Sequence, residues 1–561
     1  MSIPNFSSLC AMHRATCERL GPLPALRFRV AGMWRHITWA EYRREADCGA
    51  AGLAELGVQP GDRVAVLSEN RFEFLVSDHA ILSAGAVPVP IYPSSSPSQI
   101  QYLIDHSGAR AVIVSGAAQL AKVASVLSSL PDLRLIVTFD PVDTVPGVPV
   151  HSWDAVRMAG FHGGDRAMNE VRRRESALNE DSFATIIYTS GTTGVPKGVV
   201  LTHGGFLFTT ASVAQVLNFN STHIMASWLP YGHVFARCVD HYTTTRMGMT
   251  LALAESALTV MDIVAEIQPH YLTSVPRLIE KAWLQIAAVP VEERAREAVK
   301  IFGSRLNFLT SGGAPLPRAV GQGLCDAGVP IREGYGMTET SSIVSFNPRD
   351  GWKIGTVGLA VPGIEIRIAP DGEVLTKGPH LMQGYWRNPE ATAETIVDGW
   401  LHTGDLGKID GDGHLQITGR KKDLIITSSG KNISPAGLEA LLLSDPFVEQ
   451  AVTYGDGRHF VTALLVPNMA RLTEAAHAAG TEPPTEGDVI NDPRLVTWFQ
   501  KRVDNIMNAV SQPERVKKIV LLNRPLSLDR EELTTTSKVR RAAVFKHFQK
   551  ELEALYEGGM S

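Results

Sequence analysis

The sequence predicts an α/β protein of at least two domains, and three observations carry that prediction. A chain of 561 residues exceeds the roughly 250–300 residues over which a single hydrophobic core grows. From Trp39 to Val114 helical and strand periodicity alternate, the pattern of a mostly parallel sheet covered by helices. After Ile354, and again beyond Arg420, the character of the chain changes.

In the first stretch a helix is expected over 41–56, a strand over 63–67, a helix over 72–84 and a strand over 111–114, with Gln59-Pro60-Gly61-Asp62 as one of the breaks. The polar, mixed stretch 141–181 reads as a long connection. A second alternating region follows, with apolar runs at 184–187, 198–201, 224–229 and 306–309. Past Ile354, short strands with turn signals at Asp371-Gly372 and Asp410-Gly411-Asp412-Gly413 predict a small β-rich unit. Beyond Arg420 an α+β unit is expected, with strands over 424–426, 449–453, 460–466 and 516–522 and helices over 436–443, 493–511 and 538–556.

Apolar residues make up 44% and charged residues 20% of the chain, which excludes a disordered or membrane-embedded class. A formal net charge of −5 supplies no field that would gather nucleic acid, and the short basic clusters Arg172 to Arg174 and Lys517-Lys518 read as solvated surface. Cys10, Cys17, Cys48, Cys238 and Cys325 have neither metal spacing nor an even count, so free thiols in a reducing, cytoplasmic compartment are expected. The longest apolar candidate, 80–92, is too short to span a membrane and is interrupted by Gly85, Pro88 and Pro90. Peripheral membrane contact stays open, as does the oligomeric state.

The chemistry begins at Tyr188-Thr189-Ser190-Gly191-Thr192-Thr193-Gly194-Val195-Pro196-Lys197-Gly198. Hydroxyls, glycine backbone and one cation follow an apolar strand, and these are phosphate-binding groups. A Walker A loop would place Lys before Ser or Thr and open a helix. Here Lys197 lies between Pro196 and Gly198, and Val199-Val200 predicts a strand. The reading that remains is a hydroxyl-rich loop between two strands that grasps the β- and γ-phosphates of ATP.

This loop resembles the phosphate-loop signature of the adenylate-forming acyl-CoA synthetase superfamily. Further motifs of that family follow in order: Ser311-Gly312-Gly313-Ala314-Pro315, Gly334-Tyr335-Gly336-Met337-Thr338-Glu339, Thr403-Gly404-Asp405, Gly419-Arg420-Lys421-Lys422-Asp423, and Thr534-Thr535-Thr536-Ser537-Lys538-Val539-Arg540-Arg541. A lone Asp or Arg would read as surface or structural, but the ordered series does not. The resemblance implies a large N-terminal domain, 1–421, of stacked mixed and parallel sheets with helices and a small β unit. A smaller, mobile α+β domain, 422–561, follows it.

The resemblance further implies roles at matching positions. Tyr335 stacks on adenine against the wall formed by Gly312, Gly313, Ala314 and Pro315, next to Gly336; Thr338 bonds the α-phosphate; Glu339 holds Mg²⁺. Asp405 accepts the ribose hydroxyls and Arg420 adds a donor. Lys538 compensates the charge that develops when a carboxylate attacks the α-phosphate. The family hinge falls at Lys422, and rotation about it brings Ser428-Ser429-Gly430-Lys431-Asn432 to a tunnel for coenzyme A.

The segment Trp228-Leu229-Pro230-Tyr231-Gly232-His233-Val234-Phe235-Ala236-Arg237 resembles the long-chain fatty acyl-CoA synthetase branch and puts His233 beside the acyl carboxylate. Thr535, Ser537 and Tyr231-Gly232 depart from the usual pattern, which leaves chain length open. The expected substrates are a long-chain fatty acid, ATP and coenzyme A. Transfer to a carrier-protein thiol and a catalytically silent acyl- or nucleotide-binding protein are the alternatives.

Overall fold

The computed structural model describes residues 5–189, 195–217, 219–428, 431–485, 487–534 and 538–557. Among them, the largest sheet has nine strands in the order Leu359–Ala360, Ser345–Phe346, Ile331–Tyr335, Phe308–Ser311, Tyr271–Ser274, Ile224–Ser227, Thr250–Leu253, Pro24–Val30 and Met33–Thr38. From Ile331–Tyr335 to Pro24–Val30 every pairing is parallel, and antiparallel pairs close both ends. Parallel strands finish on one side, so their carboxyl ends form a single rim, the usual place for a ligand in such a sheet. Among the segments that leave this rim are Trp228-Leu229-Pro230, Val275-Pro276, Gly312-Gly313-Ala314 and Gly336-Met337-Thr338-Glu339.

A second, all-parallel sheet runs Val87–Ile91, Arg63–Leu67, Ala109–Val114, Leu135–Thr138, Val150–Ser152. The first of these strands contains Pro88 and Pro90, which sequence reading takes as an interruption. It is an edge strand. Two prolines spaced by two place both nitrogens on the same unpaired side, where no donor is needed, and the Pro88 carbonyl accepts from Thr185 Oγ1 at 2.8 Å.

The expected long connection over 141–181 is instead a short strand followed by two helices, Trp153–His162 and Gly164–Ser176. Ser152 caps the first by accepting from the Ala155 N–H at 3.1 Å. That helix lies almost backbone to backbone on Trp39–Glu55: a Cβ added at Gly160 would sit 2.0 Å from the Cys48 carbonyl oxygen, and one at Gly52 1.9 Å from that of Val156. The second helix gives only a weak hydrophobic period because its inward face joins the apolar Ala167 and Val171 to the charged Arg174. Glu175 accepts from Arg14, Arg43 and Ser83. Arg174, expected on the solvated surface, is buried and donates to the Val58 and Ala84 carbonyls at 2.8 and 3.0 Å.

The β-rich unit is a sheet of Glu365–Ile368, Glu373–Lys377, Trp400–Ile409, Ile396–Val397 and Leu415–Arg420. Residues beyond Arg420 build cores of their own on the sheet Val448–Tyr454, Val461–Pro467, Val516–Leu522, Val489–Ile490. One face packs Leu438, Leu442, Phe499 and Val503, and the other Val544, Phe548 and Leu552. The helix expected over 538–556 is two, Arg541–His547 and Gln549–Ala554, separated where Phe548 turns into the core. No helix among the described residues is long and apolar enough to cross a membrane, and the five cysteines are free thiols.

Gly160→Ala should lower the stability of the N-terminal region by about 1–3 kcal/mol, the usual range for overpacking. Gly437→Ala, where an added Cβ meets open space in a helix, should be neutral or slightly stabilising. Urea unfolding of both variants checks this, and the reverse order would contradict the close helix contact.

Candidate active site

Strand Phe183–Thr189 pairs antiparallel with Lys197–Thr202, in a register that sets Thr189 opposite Lys197 and Tyr188 opposite Gly198. A strand, not a helix, follows Lys197. The intervening Ser190, Gly191, Thr192, Thr193 and Gly194 lie outside the described residues. The Lys197 ammonium stands 4.8 Å from the centre of the Tyr385 ring. Tyr385 in turn donates to Glu339 Oε1 at 2.9 Å. Burial pushes the Glu339 carboxyl up, while the Tyr385 hydrogen bond and the charges of Arg420 and Lys197 oppose that shift. Lys197 and Glu339 thus meet across a tyrosine that sequence reading does not single out. A lone Tyr on a short edge strand, Gly384–Tyr385, carries no periodic signal.

A second carboxylate lies on the β-rich unit. Strands Trp400–Ile409 and Leu415–Arg420 pair Asp405 with Arg420 directly, and Arg420 Nε donates to Asp405 Oδ1 at 2.8 Å. Tyr335 Oη donates to Asp405 Oδ2 at 2.6 Å, joining the rim of the large sheet to the β-rich unit. Each carboxylate oxygen keeps a second lone pair for a further donor. Asp405 is also fixed by its own N–H, which donates to Thr403 Oγ1 at 3.0 Å.

The glycines explain the closeness of these parts. A Cβ at Gly336 would lie 1.7 Å from the Ser342 carbonyl oxygen, and one at Gly312 would lie 2.9 Å from the Phe235 ring. The loop after Tyr335 therefore folds back on itself, and it holds Thr338 and Glu339 buried in a 3₁₀ turn. Gly313 has φ +79°, a left-handed value that favours glycine.

His233 lies beside this rim. Its Nδ1 accepts from the Phe235 N–H at 3.1 Å, so the proton of the neutral ring sits on Nε2. Burial first, and then the Lys538 charge, push its pKa down to about 4, which leaves an uncharged Nε2–H donor at neutral pH. Lys538 keeps solvent access, yet desolvation and Arg420 lower its pKa while Asp405 and Glu339 oppose the shift. The sequence-predicted Tyr335, Glu339, Asp405, Arg420, Lys538 and His233 therefore lie within bonding or electrostatic reach of one another, with Thr338 next to Glu339 and Gly312 against the Phe235 ring.

Lys422 lies in the 3₁₀ turn Lys421–Asp423, directly after strand Leu415–Arg420. Gly430 is outside the described residues. Its neighbour Lys431 donates to Ser511 Oγ at 2.8 Å, a bond within the α+β unit.

Residues 14–386 match the AMP-binding enzyme family, and 422–559 match its C-terminal domain. The chain belongs to the AMP-binding enzyme family. Among its relatives, FadD15 of Mycobacterium bovis, a long-chain-fatty-acid–CoA ligase, is 34% identical over 572 aligned positions, covering 94% of this chain and 93% of its own. ACSBG1 of Bos taurus, another long-chain-fatty-acid–CoA ligase, is 26% identical, covering 97% of this chain and 84% of its own. The fold matches that of the anthranilate CoA ligase AuaEII in complex with anthranoyl-AMP, with a TM-score of 0.79, 20% identity, and coverage of 98% of this chain and 99% of that one.

Within this AMP-binding enzyme, Tyr385→Phe leaves the Glu339 carboxylate without one donor. The expected cost is about 1–3 kcal/mol at neutral pH. Because the folded-state pKa of Glu339 already lies above its ordinary 4.5, losing the bond raises it further. The penalty is therefore full above that raised pKa and fades as the carboxyl protonates in acid. Stability measured against pH checks this, and a penalty that grows on acidification would contradict it.

Proposed function

We propose that the chain uses ATP to activate a long-chain fatty acid and then transfers the acyl group to coenzyme A. In the first step a carboxylate oxygen of the acid attacks the α-phosphorus, the bond to the bridging oxygen of pyrophosphate breaks, and acyl-adenylate forms. In the second, the coenzyme A thiolate attacks the acyl carbonyl and AMP leaves. The observation that carries this reading is the convergence of Lys538, contributed from beyond residue 422, with Asp405, Glu339 and Arg420 on the N-terminal side. The names of the relatives support a long-chain acid and coenzyme A.

The residues then have the following tasks. Asp405 and Arg420 hold the ribose, and Tyr335 stacks on adenine beside Gly312, Gly313 and Ala314. Lys197 and the loop Thr189 to Gly194 grip the outer phosphates, and Thr338 bonds the α-phosphate. His233, neutral with Nε2–H outward, donates to the acid carboxylate. Among the described residues no cluster of three or more His, Cys, Asp or Glu could hold a metal. Mg²⁺ binds through one or two carboxylates together with substrate phosphates, and the buried carboxylate of Glu339 fits that need. Glu339 would hold the ion, which would draw charge from the phosphate oxygens when bound.

A division into 1–421 and 422–561 fits the two steps. With Lys538 needed at the α-phosphorus only for the first, rotation about Lys422 would withdraw it and present the loop around Gly430 to coenzyme A. Strand Leu415–Arg420 ends directly before this turn, and a few residues at such a junction can absorb the whole dihedral change.

Lys538→Ala should slow acid-dependent pyrophosphate release roughly 10²–10³-fold while sparing thioester formation from pre-made acyl-adenylate. Since the Lys538 pKa is lowered, the native rate should fall as pH rises through that lowered value. Lys538→Arg, which stays charged, should lose this alkaline limb even at a reduced rate. Equal loss of both half-reactions, or an unchanged limb in the arginine variant, would count against the assignment.

A further inference from the structure

Directly after His233 and Phe235 the chain does not form an α-helix. Residues Ala236–Tyr242 make a fully buried π-helix, a wider turn with i to i+5 bonding that is rare as a whole segment. Its wide pitch is visible in the bonds: both the N–H and the Oγ1 of Thr243 donate to the carbonyl of Cys238, five residues back.

One carboxylate from another helix bonds both ends of the segment. Asp78, on Phe72–Ser83, accepts from Arg237 through Oδ1 and from Tyr242 Oη through Oδ2, the latter at 2.7 Å. Arg237 Nε also donates to Tyr242 Oη at 3.2 Å. Arg237 and Tyr242 are five residues apart. In an α-helix they would point about 140° away from each other, and in a π-turn they stand together. All three side chains are excluded from solvent.

A second tie acts on the loop that precedes the π-segment. Asp240 Oδ2 accepts from Ser227 Oγ at 2.6 Å, and that oxygen accepts from Tyr231 Oη at 2.9 Å. The segment from Trp228 to Phe235 is thereby held at both ends. Its outcome is the position of two site groups: the Arg237 N–H donates to the His233 carbonyl at 3.1 Å, and the Phe235 ring abuts Gly312.

We infer that Asp78, Arg237 and Tyr242 form a buried clamp that enforces the π register of 236–242 and so positions His233 and Phe235 at the adenylate site. Asp78, Arg237 and Tyr242 are positioning residues, since they touch no reacting atom. The inference rests on the acid-activating reading above for what those two residues meet. A buried ion pair rarely adds net stability over well-packed apolar side chains, and its best-attested use is to select one register among alternatives. Relaxation to an α-turn would swing Tyr242 away from Arg237 and weaken the Asp78 anchor of Arg237, the residue whose N–H holds the His233 carbonyl.

Three variants test this: Tyr242→Phe, which keeps the ion pair, Asp78→Asn, and, in the Tyr242→Phe background so that no buried hydroxyl is left unpaired, the apolar double replacement Asp78→Leu with Arg237→Met. Each is measured by thermal unfolding, by the KM values for fatty acid and for ATP in pyrophosphate release, and by amide hydrogen exchange over 235–243. The single variants should raise the KM for the acid roughly tenfold, leave that for ATP unchanged, and speed exchange across 235–243. The double variant should recover thermal stability without recovering the KM for the acid or the slow exchange. A double variant that regains stability and native acid KM together would overturn the clamp. So would parallel loss of acid and ATP binding, or exchange over 235–243 that no variant changes. If Asp78→Asn fails to fold, Tyr242→Phe still decides between these outcomes. Absence of acid-dependent pyrophosphate release in the native protein would instead remove the functional reading, and the exchange measurement would still report on the clamp.

Discussion

Two carboxylates in a desolvated cleft, Glu339 and Asp405, impose the constraint on which the rest of this structure depends. A buried carboxylate is tolerated only with donors and cations around it, and here they come from separate parts of the chain. Lys197 begins a strand of the hairpin 183–202, Arg420 ends a strand of the β-rich unit, and Lys538 lies beyond residue 422. Tyr385 and Tyr335 complete the set with one hydrogen bond each.

The same arrangement suits the proposed reaction. An excess of positive charge around a carboxylate pair is matched by a polyphosphate, and the cation whose pKa is lowered, Lys538, is the one for which a new negative neighbour is worth most. His233 contributes differently. Held neutral by burial, it can orient a carboxylate without competing for the phosphate charge. Parallel strands ending on one rim bring these groups together, and the glycines at 312 and 336 admit the close backbone and ring contacts that bury them.

Much of this was legible in the sequence. Strands Arg63–Leu67 and Val516–Leu522 fall where apolar runs between turn signals place them, and the strand after Lys197 follows from Val199 and Val200. The motif residues could be named because ordered spacing carries information that a single Asp or Lys does not. Other features left no local trace. Val87–Ile91 hides behind two prolines whose tolerance depends on being at a sheet edge. Helix Gly164–Ser176 buries only Ala167 and Val171 beside the charged Arg174, so its apolar period is too short to stand out. The role of Tyr385 arises from the pairing of strands distant in sequence. The π-helix at 236–242 is set by Asp78, a residue about 160 positions earlier, and no window along the chain contains both.

The central claim is that this cleft directs attack at the α-phosphorus of ATP, with Lys538 arriving from the C-terminal region. Fatty-acid-dependent exchange of labelled pyrophosphate into ATP, in the absence of coenzyme A, measures that step directly because it requires reversible acyl-adenylate formation. The account predicts exchange with long-chain acids and AMP as the nucleotide released once coenzyme A is supplied. No exchange with any fatty acid, or release of ADP, would contradict it.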